Sequence, residues 1–191
     1  MDEQEFFKRF AELAVRVGTN LQPGQELVVF GDVEHAPLVR ATMEAGWRAG
    51  ASDVQCLYRD PYDRLFLGRY AADERLERSS LAMLAGFDHL AEGQRALVWV
   101  TGDATPDLYA EIDPERLARI VPADAMRRRA EIGQRRGFAW TVIAFPTEAW
   151  SARIFGQPDL RRLREVMARA TRLDEPDPVA AWREHLGELS A

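Results

Sequence analysis

The chain has 191 residues, 47% hydrophobic and 29% charged, with a formal net charge of −6. That balance suits one globular domain, which at this size buries roughly 70% of the surface its unfolded form exposes. There is no run of about 18 apolar residues to make a helical membrane span, and the lone cysteine, Cys56, excludes an internal disulfide and fits a reducing compartment.

The acidic start, Met1 to Glu5, lacks the basic opening and apolar core of a secretion signal, so the cytoplasm is the expected location. Charge is unevenly distributed. Residues 1–115 carry 11 basic and 21 acidic side chains, residues 116–172 carry 13 arginines against 5 acids, and the last 19 residues return to −4. Arginines on solvated helix faces, beside acidic neighbours or against another domain, account for the basic stretch. Its competing use, guiding nucleic acid, is opposed by the acidity of the whole chain, and no nucleic-acid or membrane partner is expected.

In chain order, residues 2–17 have helical spacing, with Phe6, Phe10, Leu13, Ala14 and Val17 on one face. Gly18 ends that helix and Pro23-Gly24 turns the chain into a first strand at Leu27–Phe30. Helical spacing returns over 36–49 through Leu38, Val39, Met43 and Trp47, with Gly50 as its stop. Val54–Tyr58 is a second strand, followed by helices at 62–70 and 74–92, the latter burying Leu76, Met83, Leu84, Phe87 and Leu90. Ala96–Thr101 is a third strand. Asp113-Pro114-Glu115 opens a helix to 121, Pro122 breaks it, and a second helix follows over 123–136. Trp140–Phe145 is a fourth strand, with helices over 147–155, 159–171 and 178–189.

Strands alternating with crossover helices predict a three-layer α/β domain, its mostly parallel central sheet of four or more strands flanked by helices, in the order 2-1-3-4. The acidic, proline-containing stretch Asp174–Pro178 divides an α/β domain, 1–173, from a linker and helix, 174–191.

The chain has no His-Glu-x-x-His, Cys-x-x-Cys, Gly-x-Ser-x-Gly or phosphate-loop motif, and His35, His89 and His185 fall on three separate elements. One constellation stands out. Asp32, Asp60 and Asp103 each follow a predicted strand, with Glu34 and His35 just after the first, so a parallel sheet would gather them at its carboxyl edge. They suit either an acidic, substrate-facing rim for a cation or peptide ammonium, or helix caps and turn hydrogen bonds. Cys56, inside a strand, reads as a buried thiol; Trp47, Trp99 and Trp140 read as core. Arg127, Arg128, Arg129, Arg135 and Arg136 read as solvated. Val179, Trp182, Leu186 and Leu189 form a narrow apolar seam on the last helix, which either packs back on its own domain or meets a partner at Trp182, Leu186 and Leu189.

Several segments, in order, resemble one family. Val17-Gly18-Thr19-Asn20-Leu21-Gln22-Pro23-Gly24-Gln25 leading into Leu27 is similar to the opening turn and first strand of the aminopeptidase T / aminopeptidase S / aminopeptidase II metallo-aminopeptidases. Ala49-Gly50-Ala51, Tyr58-Arg59-Asp60, Gly102-Asp103 and the block from Trp140 to Phe155 fit the same family, as does Asp177-Pro178 leading to Trp182. The resemblance implies two-domain exopeptidases of about twice this length that remove N-terminal residues from peptides and commonly dimerise. It implies two divalent ions, zinc or cobalt, held by glutamates, histidines and an aspartate of a C-terminal catalytic domain. No residue here corresponds to those ligands, so the resemblance assigns this chain no catalytic or metal-binding residue. It points to an N-terminal domain with a structural, substrate-access and dimerisation role, inactive alone. The alternatives are a stand-alone binding or oligomerisation module and, last, a small α/β enzyme using the aspartate edge.

Overall fold

The four apolar runs become four strands, β1 (Glu26–Asp32), β2 (Asp53–Arg59), β3 (Arg95–Thr101) and β4 (Ala139–Ala144), in a computed structural model that describes residues 1–91, 95–120, 123–134 and 139–189. The helices are α1 (Glu3–Leu13), α2 (Ala36–Arg48), α3 (Pro61–Tyr70), α4 (Asp73–Leu76), α5 (Leu81–Ala91), α6 (Pro114–Arg119), α7 (Ala123–Gly133), α8 (Glu148–Phe155), α9 (Leu160–Ala170) and α10 (Pro178–Leu189). The strands form one parallel sheet in the order β2-β1-β3-β4, flanked by helices, so both the expected α/β three-layer class and the expected order hold. In β3 and β4, Leu97 lies opposite Trp140 and Trp99 opposite Val142.

The chain divides into two compact units. The first comprises residues 1–58, 96–104 and 139–191 and holds the sheet. The Asp2 carboxylate caps α1 by accepting the Glu5 N–H at 2.8 Å, and Glu3 and Glu5 favour the positive end of the helix. Phe6, Phe7, Phe10 and Ala11 of α1 join Leu38 and Val39 of α2 and Leu163 and Met167 of α9 in one core with Leu27, Val29, Val98, Val100 and Ile143. Fully burying a side chain of this size stabilises the fold by roughly 1.5–3 kcal/mol. After α1 the chain widens into a π turn, Ala14–Gly18. A Cβ at Gly18 would stand 2.8 Å from Thr141 Oγ1, so this turn can approach β4 only with glycine there.

Two aromatic expectations are corrected. Trp47 is 53% and Trp140 52% exposed. Trp140 and Val142 alternate with the buried Ile143, so they lie on the sheet's other face, and β4 is an edge strand. Trp47 sits off the stripe Leu38, Val39, Thr42, Ala45 and Gly46 that α2 buries. Trp99 is half-buried against Phe30, with ring centroids 4.7 Å apart. Cys56, expected to be buried, is half-buried at the margin of the core, because β2 is the other edge strand.

The end of the chain is tied back to the first unit. Arg9 donates to the Leu173 and Glu175 carbonyls at 3.0 and 2.8 Å, holding the turn that precedes α10. Trp182 Nε1 donates to the Thr171 carbonyl at 2.6 Å, and its ring meets His185 edge-on. Leu186 and Leu189 remain 43% and 71% exposed.

The second unit comprises residues 59–95 and 105–138. The helix expected over 74–92 is two helices, with Arg78 N–H turning back to the Arg75 carbonyl and Ser79 bonded to the Asp124 carboxylate between them. Consecutive serines compete with helical backbone bonding, and α5 starts from Ser80, whose carbonyl accepts the Leu84 N–H. Met83 and Leu90 lie outside the described side chains, as does Arg129; Pro122, Arg135 and Arg136 lie outside the described residues. Arg116 spans the Gly68 and Ala71 carbonyls and the Asp73 carboxylate. Arg119 binds Asp73 and Glu77 at 3.0 and 2.9 Å, and Arg128 binds Asp88 at 2.6 Å. These arginines stand beside acids, as the first reading of the basic stretch requires.

Candidate functional site

The carboxyl edge of the sheet is where β1 ends at Asp32 and β3 runs into Gly102-Asp103. Asp32 starts a 3-10 turn, Val33–His35, closed by a reciprocal capping box. The Asp32 carboxylate accepts from the backbone N–H of His35, and His35 Nδ1 accepts the Asp32 N–H at 3.1 Å. The His35 ring is only 1% exposed. Its other nitrogen, Nε2, lies 3.0 Å from the Gly102 carbonyl. An amide N–H can only donate and a carbonyl can only accept, so both partners require the neutral ring with its proton on Nε2. The imidazole therefore fastens the turn after β1 to the loop after β3.

The β4 side completes this edge. Phe145 stacks on Phe7 at 5.5 Å and lies 5.2 Å from His35, and its N–H donates to the Thr101 carbonyl at 2.6 Å. Thr147 caps α8 by accepting the Trp150 N–H at 3.1 Å, while its hydroxyl donates to the Asp103 carbonyl at 2.9 Å. Gly102 fits because a Cβ there would stand 2.8 Å from the Phe145 carbonyl oxygen. Asp103 is exposed and Asp32 half-buried. Glu34 has one buried carboxylate oxygen, Oε2, without a hydrogen-bond partner.

Asp32 and Asp103 thus share one edge of the first unit. Asp60 belongs to the second unit, where its carboxylate caps α3 by accepting the Tyr62 N–H at 2.9 Å. His89 lies on α5 and His185 on α10. Among the described residues no three His, Cys, Asp or Glu side chains are grouped to hold a metal ion. With both His35 nitrogens committed to backbone groups, this edge does not fit a divalent ion. Sequence reasoning noticed His35 but missed its clamp on Gly102. The partner there is a backbone carbonyl, which any residue would supply and which leaves no letter in the sequence.

A profile of the thermophilic metalloprotease (M29) peptidases matches residues 3–191. An aminopeptidase 2 from Geobacillus stearothermophilus is 35% identical over 192 residues, covering 95% of this chain and 45% of the relative. An aminopeptidase T from Thermus thermophilus is 32% identical over 187 residues, covering 93% and 45%. The solved structure of wild-type AmpT from Thermus thermophilus matches with a TM-score of 0.82 at 28% identity, covering 96% of this chain and 46% of that one. Fold and sequence together define a domain of the metallopeptidase class. The chain belongs to the thermophilic metalloprotease (M29) family, and it spans a little under half the length of the curated relatives it matches.

Proposed function

We propose that these residues are the N-terminal domain of a metal-dependent aminopeptidase that removes N-terminal residues from peptides. The observation that carries this reading is a family match along nearly the whole chain that covers only 45% of the first relative. In this reading two divalent ions, of the zinc or cobalt type, lie in a C-terminal catalytic domain of the same protein, where they would activate water and polarise the scissile carbonyl. The present domain walls the substrate path and builds a homodimer, in the cytoplasm. Asp32 and Asp103 form its acidic, substrate-facing rim, and the helix from 178 leads toward the catalytic half.

A chimera tests this. Joined to the part of the Geobacillus relative that it does not match, the chain should support cleavage of an aminoacyl p-nitroanilide with zinc or cobalt. The 191 residues alone should give no turnover above background. Asp32→Lys with Asp103→Lys in that chimera should lower kcat/KM for peptides by tenfold or more, roughly one lost charge-assisted contact. Unchanged cleavage by a folded double variant would remove the acidic rim.

Exposure of Leu186 and Leu189 favours a second reading, a stand-alone binding or oligomerisation module with Trp182, Leu186 and Leu189 as its interface. Sedimentation of the wild type beside Leu186→Asp tests this interface, because a dimer that the substitution dissociates supports it. A monomer in both cases counts against the module.

A further inference from the structure

We infer that the Asp32–His35 turn is a proton-operated latch on the carboxyl edge of the sheet. A capping box ordinarily returns a glutamate or glutamine to the cap N–H. Here the returning group is an imidazole, the side chain whose ordinary titration falls nearest neutral pH. The second bond, from Nε2 to the Gly102 carbonyl, survives protonation, because the imidazolium still donates there. The first cannot. A proton on Nδ1 would face the Asp32 N–H, donor against donor, 3.1 Å away. Protonation therefore unfastens the turn that carries Asp32 and Glu34 while leaving the ring attached to the β3 loop.

The groups around the ring decide what its charge would meet. The charged groups nearby in sequence are Asp32 and Glu34 on the turn itself and Asp103 next to Gly102. The β4 side presents Phe145 to the ring, with Phe7 of α1 stacked behind it, and the charged groups of α1 and α2 beside Phe7 and Pro37 are Glu3, Lys8, Arg40 and Glu44. The ring is buried, so the proton must enter as the turn opens rather than settle on an exposed imidazole. Acid thus loosens the acidic residues after β1 before it reaches the strands behind them.

Nitrogen-15 spectra of the His35 ring, recorded with amide hydrogen exchange across a pH series, test the latch on the intact chain. In its neutral form the ring should carry its proton on Nε2. As its signals move to those of the imidazolium, protection of the Asp32 amide should fall about tenfold or more, the size of one lost hydrogen bond, while Val29 and Val98 amides stay protected. His35→Gln supplies a carbonyl oxygen to the Asp32 N–H and an amide N–H to Gly102 without titrating, so its Asp32 protection should stay level over the same range. Any of four results would overturn the latch. One is a neutral ring with its proton on Nδ1. Another is Asp32 protection indifferent to the ring's charge. The third is a ring that stays neutral until Val98 exchanges too. An equal pH response in wild type and His35→Gln would assign the effect to the Asp32 carboxylate instead, and so would also overturn it.

Discussion

At the scale of single residues, His35 and Gly102 carry the candidate site. Replacing His35 with leucine leaves the Asp32 N–H and Gly102 carbonyl without their ring partner. At about 1–3 kcal/mol for each buried unpaired group, His35→Leu should lower the unfolding free energy by roughly 2–6 kcal/mol in urea titrations; His35→Gln should cost less than half of that. A change under about 0.5 kcal/mol for His35→Leu, the scatter of ordinary surface substitutions, would mean the ring is no clamp. Gly102→Ala should cost about 1–3 kcal/mol, the usual range for overpacking, because its methyl meets the Phe145 carbonyl oxygen at 2.8 Å and a backbone atom cannot swing aside. The sequence announced Asp32, Asp103 and His35 through their places after apolar runs. It was silent on what His35 binds, and on Trp47 and Trp140, because apolar spacing identifies a face but not whether anything covers it.

At the scale of elements, strands and most helices were legible because each carries its own start signal: Asp2, Asp113, Thr147 and Asp159 all accept a backbone N–H at the first turn of a helix. The break between α4 and α5 was less legible, since apolar spacing runs across it and the bond from Ser79 to Asp124 joins residues 45 apart in sequence. The α4–α6 contact makes a pH prediction. Hydrogen bonds from Arg119 and then Arg116 hold the Asp73 carboxyl below its ordinary value. A carboxyl lowered by folding adds stability that is present above its unfolded value and is lost as pH falls through its folded one. Asp73→Asn should therefore destabilise the chain near neutral pH and converge with the wild type in acid. Asp73 is exposed, so raising the ionic strength from about 0.1 M to about 1 M, which shortens screening from roughly 10 to 3 Å, should shrink the gap. A gap that persists in strong acid would refute the assignment. For α10, Trp182→Ala removes the bond to Thr171, and amides of residues 180–188 should lose protection while those of α9 keep theirs; equal protection in both variants would mean α10 is not held by this tryptophan.

For the whole molecule, the class, the strand order and the family were all readable. Alternating strands and crossovers leave few topologies, and the resembling segments span nearly the whole chain. The division into two units was not readable, because each unit is assembled from separate stretches, with β3 and its following turn returning the chain to the first. The central claim is that these residues are a scaffold whose reaction centre lies in other sequence. Isothermal titration of the purified 191-residue chain with zinc and with cobalt, followed by an aminoacyl p-nitroanilide assay of the same sample, tests that claim most directly. The account predicts no stoichiometric binding of either ion and no turnover above background. Two ions bound per chain, with hydrolysis that a chelator abolishes, would contradict it.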